Sequence, residues 1–167
     1  LHLLQVQCSM TFVTAGTLGK ISYCIELGAD GGSLRQEKPF EDIKKWAPKG
    51  VDIILDPVGG EYFEDNLSVL TMEGRLILIG LMGGSKSQIN LGLVLMKRQR
   101  IIGSTIRARN STIKGKVMND LHEKVWPHFE SKKIIPIIHK MMDIKDANQA
   151  HSIMENNQNI GKIVLEV

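Results

Sequence analysis

Short, largely apolar runs alternate along the chain with stretches in which apolar residues recur every three or four positions. Met10 to Thr14, Val51 to Leu55, Leu76 to Ile79, Ile101 to Ile106 and Lys162 to Val167 read as strands. Between them, Thr17 to Leu27 places Leu18, Ile21, Cys24 and Ile25 on one helical face, and Gly28 follows as a C-terminal stop. Pro39 to Ala47 predicts a shorter helix with Phe40, Ile43 and Ala47 aligned, ended by Pro48. Glu61 to Leu70 aligns Phe63, Leu67 and Leu70. Ser111 to Val125 repeats Ile113, Val117, Leu121 and Val125 at four-residue spacing before Pro127, and Asp146 to Asn156 predicts a last helix.

Strands that are apolar throughout, separated by amphipathic helices, imply a parallel sheet covered on both faces. The expected fold class is therefore α/β, a doubly wound parallel sheet. Ligands of such sheets sit beyond the carboxyl ends of the strands. Three of those ends carry glycine: Thr14-Ala15-Gly16-Thr17, Asp56-Pro57-Val58-Gly59-Gly60 and Gly80-Leu81-Met82-Gly83-Gly84. Glycine lets another group approach the backbone closely, so a shallow shelf for a flat ligand is expected there.

Composition narrows the function classes. The 167 residues fit one domain with an ordinary apolar content. No apolar run is long enough to span a bilayer, since GRLILIGLMGG is broken by glycine at 80, 83 and 84. The start, LHLLQVQCSM, has no basic region of a signal peptide. Cys8 and Cys24 have no metal spacing, and reduced thiols in a cytoplasmic setting are expected. The net charge is only +3, and the one basic cluster, Lys97 to Arg100, has no interleaved aromatics, so it predicts a solvated turn and no nucleic-acid partner. The five histidines show no Ser/His/Asp or metal spacing, and none is expected to be catalytic.

The end of the first strand bears on the ligand. NAD enzymes usually place an acid at that position to bind ribose hydroxyls, and a carboxylate there would repel a 2′-phosphate. VTAGTLGK has no acid, two hydroxyls (Thr14 and Thr17) and Lys20 one turn into the helix. Thr17 also suits the helix N-cap, and a capped N-terminus is an anion site. A methyltransferase domain fits less well, because a ribose-binding carboxylate is usual there as well.

From VTAGTLGK onward the chain resembles the cofactor domain of the medium-chain dehydrogenase/reductases, in the zinc-independent quinone oxidoreductase (zeta-crystallin-like) branch. The resemblance rests on VTAGTLGK, ELGAD, VDIILDPVGG, GRLILIGLMGG, IIGSTIRARN and AHSIMENNQNIGKIVLEV, in family order over residues 10 to 167. It implies NADPH as cofactor and a small quinone or enone as substrate, reduced by hydride transfer without metal. The nicotinamide then performs the chemistry, and the protein supplies position and electrostatics. By the same resemblance Thr17 and Lys20 grip the adenosine 2′-phosphate, and Thr14 stays a cofactor-binding candidate by its hydroxyl at the strand end. Arg35 stands where many relatives place a tyrosine for that contact, and an arginine can serve as a bidentate phosphate partner. Val58 and Gly59 are placed along the nicotinamide ribose, and Gly80, Leu81 and Met82 against the nicotinamide ring. Asn159, Gly161 and Lys162 match the closing N-x-G-K that passes the cofactor phosphates. Arg107 and Arg109 match a segment near the cofactor and the subunit edge, which allows for a homo-oligomer.

Parts of the family pattern do not occur in these residues. The expected substrate domain, first strand and glycine-rich loop are not found, and residues 1 to 9 align only as the tail of the first helix, with Cys8 where glycine is common. Residues 1–167 thus read as a partial dinucleotide-binding domain, with 157–167 returning toward a substrate domain. The strands are expected to form two groups with unpaired inner edges. Alone, the chain is expected to hold NADPH weakly and to show no turnover. The rival expectation is a truncated, non-catalytic remnant that binds at most a nucleotide or a partner.

Overall fold

The computed structural model describes Leu3 and residues 9 to 167. The expectation for the first helix tail and Cys8 lies outside the described residues. Among residues 9 to 167, seven strands and seven α-helices follow in the order β1 (Phe12–Ala15), α1 (Leu18–Glu26), β2 (Gly31–Leu34), α2 (Pro39–Trp46), β3 (Val51–Asp56), α3 (Phe63–Val69), β4 (Leu70–Leu78), α4 (Leu91–Lys97), β5 (Arg100–Gly103), α5 (Ser111–Lys124), α6 (Trp126–Glu130), β6 (Ile138–Asp143), α7 (Ala147–Glu155) and β7 (Lys162–Glu166). Short 3-10 turns, Gly60–Tyr62 and Ile144–Asp146, precede α3 and α7.

Every strand pairing is parallel. The α/β class and parallel pairing therefore agree with the apolar-strand pattern. The strands form three groups, β1-β2, β3-β4-β5 and β6-β7, where two were expected. The third group arises because residues 138–143, whose Ile-His-Lys-Met-Met-Asp run has no clean alternation, form a strand beside β7.

Several element bounds differ from the expectations, each for a local reason. Helix α3 stops at Val69, and Leu70 already pairs with Val51 as the start of β4. The chain then slips register, with Ile53 next opposite Arg75, as Glu73 takes φ 59°. Strand β5 ends at Gly103 and not at residue 106, because its partner β4 ends at Leu78, opposite that glycine. Helix α4 and strand β2 were not foreseen. The Leu-rich α4 reads equally as a buried run, and β2 is only Gly-Gly-Ser-Leu.

The core is centred on Leu67, Leu70 and Leu76, all fully buried, with Val51, Ile54, Phe63, Leu78, Leu93 and Val94 packed around them. Burying each such leucine is worth about 1.5–3 kcal/mol. The basic cluster is not a simple solvated turn. Lys97 Nζ donates to the carbonyls of Ser68 (3.1 Å) and Leu70 (2.8 Å), and buried Gln99 donates through Nε2 to Leu67 O at 2.8 Å. These groups satisfy the free carbonyls at the end of α3, where a cation also favours the helix dipole. The four-residue apolar repeat on α5 is not covered by the described residues: Ile113 and Val117 are 41% and 46% exposed. On α1 only Ile21 is buried, while Leu18 and Ile25 are exposed.

Candidate active site at the carboxyl ends of the strands

The first part of the site lies where β1 and β2 end. The Arg35 N–H extends the pairing by donating to Ala15 O at 2.8 Å. The Arg35 side chain then folds back toward β1: its Nη2 is 3.5 Å from where a Cβ on Gly16 would stand. Beside it, Gln36 Nε2 donates to Gly16 O at 3.1 Å. Thr17 is the N-cap of α1, its hydroxyl accepting from the Lys20 N–H at 3.3 Å. Thr14 is exposed near the end of β1, in register with Ser33. Thr17 and the Arg35 side chain thus lie at the start of α1, with Thr14 on the strand that leads into it and no carboxylate in the VTAGTLGK segment.

Lys20 is already engaged. Its Nζ donates to Asn157 O at 2.5 Å, just past the end of α7, where Asn157 takes φ 54°. This contact brings the loop from α7 to β7 against α1. Asn159 and Lys162 make local bonds: Asn159 Nδ2 donates to Gly161 O at 2.9 Å, and the Lys162 N–H donates to Ile137 O at 2.8 Å. Arg107 and Arg109 are exposed, with Arg109 Nε donating to Thr105 O at 3.4 Å.

The second part lies where β3 and β4 end. Two loops interlock there through backbone bonds: Met82 N–H to Pro57 O (3.2 Å), Gly83 N–H to Val58 O (2.7 Å) and Gly60 N–H to Gly84 O (2.9 Å). The glycines serve this close approach. A Cβ on Gly60 would overlap the Lys86 and Gly84 carbonyl oxygens. Gly59 sits at φ 81°, and a Cβ there would fall 2.9 Å from Gly84 O. Part of the glycine signal thus reports the chain's contact with itself. Leu81 and Met82 remain exposed, at 54% and 75%. A cavity of about 240 Å³ opens behind the clasp, lined by Gly59, Gly60, Phe63, Leu78, Leu81, Ser85, Lys86, Ser87 and Ile89.

Asp56 organises this clasp. It is 3% exposed, and its oxygens accept from Val58 N–H (2.7 Å), Gly59 N–H (3.1 Å) and Asn66 Nδ2 (3.1 Å). An aspartate that bonds backbone two and three residues ahead is an Asx-type turn, and Asp56-Pro57-Val58-Gly59 carries that signal in sequence.

Tyr62 joins the two parts, and the sequence reading missed it. It ends the 3-10 turn after β3, and its hydroxyl lies 3.4 Å from Arg35 O, donating across the gap between the β1-β2 and β3-β4-β5 groups. Its ring stands edge-on to Phe40 at 5.5 Å. Burial pushes the phenol's pKa up and Glu61's charge adds to this, while the Arg35 charge pulls the other way. The phenol therefore stays a protonated donor at neutral pH.

Among the described residues, no three His, Cys, Asp or Glu side chains come together as a metal-binding group. No described helix is long and apolar enough to cross a membrane.

Comparison with known proteins follows the same architecture. Residues 27–165 match the family model described as zinc-binding dehydrogenase. A rat quinone oxidoreductase-like protein 2 is 31% identical over 101 residues, covering 59% of this chain and 29% of that protein. The NADP-dependent oxidoreductase RED1 of Cochliobolus heterostrophus is 28% identical over 149 residues, covering 84% of this chain and 42% of that protein. The quinone oxidoreductase of Thermus thermophilus superimposes with a TM-score of 0.85 at 19% identity, over 99% of this chain and 52% of that one. The chain thus spans less than half the length of these curated relatives. With the parallel α/β fold and the match over residues 27–165, the chain belongs to the zinc-binding dehydrogenase family of the medium-chain dehydrogenase/reductase superfamily, as part of its C-terminal cofactor domain.

Proposed function

We propose that the chain is the cofactor-binding part of an NADPH-dependent oxidoreductase that reduces quinones or other conjugated carbonyls without zinc. The observation that carries this reading is the charge at the start of α1. The Thr17 hydroxyl, the Arg35 guanidinium and the Lys20 ammonium are borne by the segments that meet there, and VTAGTLGK contributes no acid. Cations and hydroxyls suit a 2′-phosphate, which a carboxylate would repel. The relatives support this reading: one is an NADP-dependent oxidoreductase, others are quinone oxidoreductase-like, and the Thermus enzyme is known in complex with NADPH.

The residues present fit such a cofactor. Thr14, Thr17, Lys20 and Arg35 supply hydroxyl and cationic donors for the phosphate on the adenosine ribose. Lys20 serves it by exchanging its bond to Asn157 O. Val58 and Gly59, fixed by the Asp56 carboxylate, offer a backbone edge to the second ribose. Gly80, Leu81 and Met82 present apolar surface to a flat ring and keep water from that side. When bound, NADPH supplies the hydride. Asn159 and Lys162 belong to the closing segment, residues 157–167, which runs toward a substrate-binding domain in the proposed whole enzyme. A homo-oligomer built at the edge near Arg107 and Arg109, and a cytoplasmic setting, complete the proposal.

The test is oxidation of NADPH by the protein expressed from its whole reading frame, with a simple quinone and with an enone as acceptors. Acceptor-dependent oxidation that Lys20→Ala weakens with NADPH, and leaves nearly unchanged with NADH, supports the reading. Equal use of the two cofactors removes the phosphate assignment.

A further inference from the structure

Tyr62 has no place in the phosphate-binding set just described, yet it is the side chain that reaches from one strand group to the other at their carboxyl ends. The relay behind it is continuous. Asp56 fixes the Gly59 N–H, Gly59 O accepts from the Tyr62 N–H at 3.0 Å, and the Tyr62 hydroxyl reaches Arg35 O at 3.4 Å. Phe40, packed edge-on at 5.5 Å, fixes the ring. At the far end the Arg35 guanidinium lies over Gly16, directly before the N-cap Thr17.

We propose that Tyr62 is a positioning residue for recognition of a ribose 2′-phosphate, holding Arg35 over the start of α1. The inference rests on the NADPH reading above and adds to it a residue that does not itself touch the phosphate. Arg35 is exposed and follows directly on the last residue of a four-residue strand, so β2 alone fixes its direction only through one backbone bond to Ala15. The second anchor comes from the phenol. A mobile arginine loses the bidentate geometry that lets it select a phosphate, while its mere charge survives. Removing the anchor should therefore cost selectivity for the 2′-phosphate and leave the rest of the nucleotide's binding alone.

The experiment is an NMR titration of the full 167-residue chain with adenosine 2′,5′-bisphosphate and with adenosine 5′-monophosphate, which reads affinities even in the millimolar range. The ratio of the two dissociation constants is compared in the wild type, Tyr62→Phe, Arg35→Ala and the double variant. The expected result is a preference for the bisphosphate that falls at least threefold in Tyr62→Phe, with the monophosphate constant unchanged. Arg35→Ala should lower the ratio further, and the double variant should match Arg35→Ala alone, because residues acting through one another are not additive. In Tyr62→Phe the Arg35 Nε–H resonance should move toward its free position. If Arg35→Ala keeps the preference, or if no preference exists, the underlying phosphate reading fails. If Arg35→Ala loses it while Tyr62→Phe keeps it within twofold, the Tyr62 inference alone is overturned. Equal weakening of both ligands in Tyr62→Phe also overturns it, since that marks a purely structural role.

Discussion

Replacing Asp56 tests how the clasp at the ends of β3 and β4 is held. The carboxylate is 3% exposed and accepts from Val58 N–H, Gly59 N–H and Asn66 Nδ2. In Asp56→Ala, the Gly59 N–H and the Asn66 amide lose their acceptor in a buried setting, at about 1–3 kcal/mol each. The Val58 N–H is only partly buried, so water replaces its partner at lower cost. The sum is a destabilisation of about 2–6 kcal/mol, a large fraction of the ~5–15 kcal/mol typical of a domain. Asp56→Asn keeps one acceptor oxygen but turns an NH2 toward N–H donors, so its cost should be smaller, about 1–3 kcal/mol. Urea unfolding followed by tryptophan fluorescence reads both, with Trp46 packed on Phe12 at 5.3 Å as an internal reporter. Amide exchange should quicken at Gly60 and Gly83, whose N–H groups bridge the two loops. A loss below about 0.5 kcal/mol in Asp56→Ala, the range of an unremarkable surface change, would refute the reasoning.

Gly60→Ala should open the same clasp, because its Cβ meets the carbonyl oxygens of Lys86 and Gly84; a lower melting temperature with loss of the Gly60–Gly84 bond in amide exchange checks it. The Asp42 carboxyl is held below its ordinary 3.8, first by the Ser33 hydroxyl at 2.6 Å and then by Lys45. A lowered folded-state value stabilises above the unfolded pKa and is lost as pH falls through the folded one. Ser33→Ala should therefore lower stability at pH 7 and flatten the fall below about pH 4, so that the urea midpoints of the two proteins converge in acid. Chelators should leave quinone-dependent activity of the whole enzyme intact; loss with EDTA and recovery with zinc would contradict the zinc-free proposal.

Much of the fold was legible because it rests on period and punctuation. Ile21 is buried and Thr17 caps α1 as the spacing and side-chain chemistry require. The strand from Val51 forms where its apolar residues predict it, but only one face is covered among the described residues: Val51 and Ile54 pack on the core, while Ile53 and Leu55 are exposed. Legibility failed where contacts are long-range. Gln99 is buried only because the end of α3 lies against it, and nothing within Lys97 to Arg100 carries that fact. The face of α5 was correctly apolar, yet Ile113 stays exposed, since a periodic face predicts a partner and not where that partner comes from. At the site, Thr17 and Arg35 were readable from their place after strands. Tyr62 was not, because its contact with Arg35 O depends on two strand groups meeting across 27 residues of chain. The glycines after Asp56 were readable as close-approach positions, but only the structure identifies the opposite loop as what approaches.

The central claim is that the start of α1 reads a 2′-phosphate, and a direct measurement is the affinity of the protein for NADPH against NADH at fixed ionic strength. Charge-assisted contacts from Lys20 or Arg35 are worth about 1.5–3 kcal/mol, so NADPH should bind at least tenfold more tightly. The difference should shrink in Lys20→Ala and in Arg35→Ala. Equal affinities for the two cofactors in the wild-type protein would contradict the account.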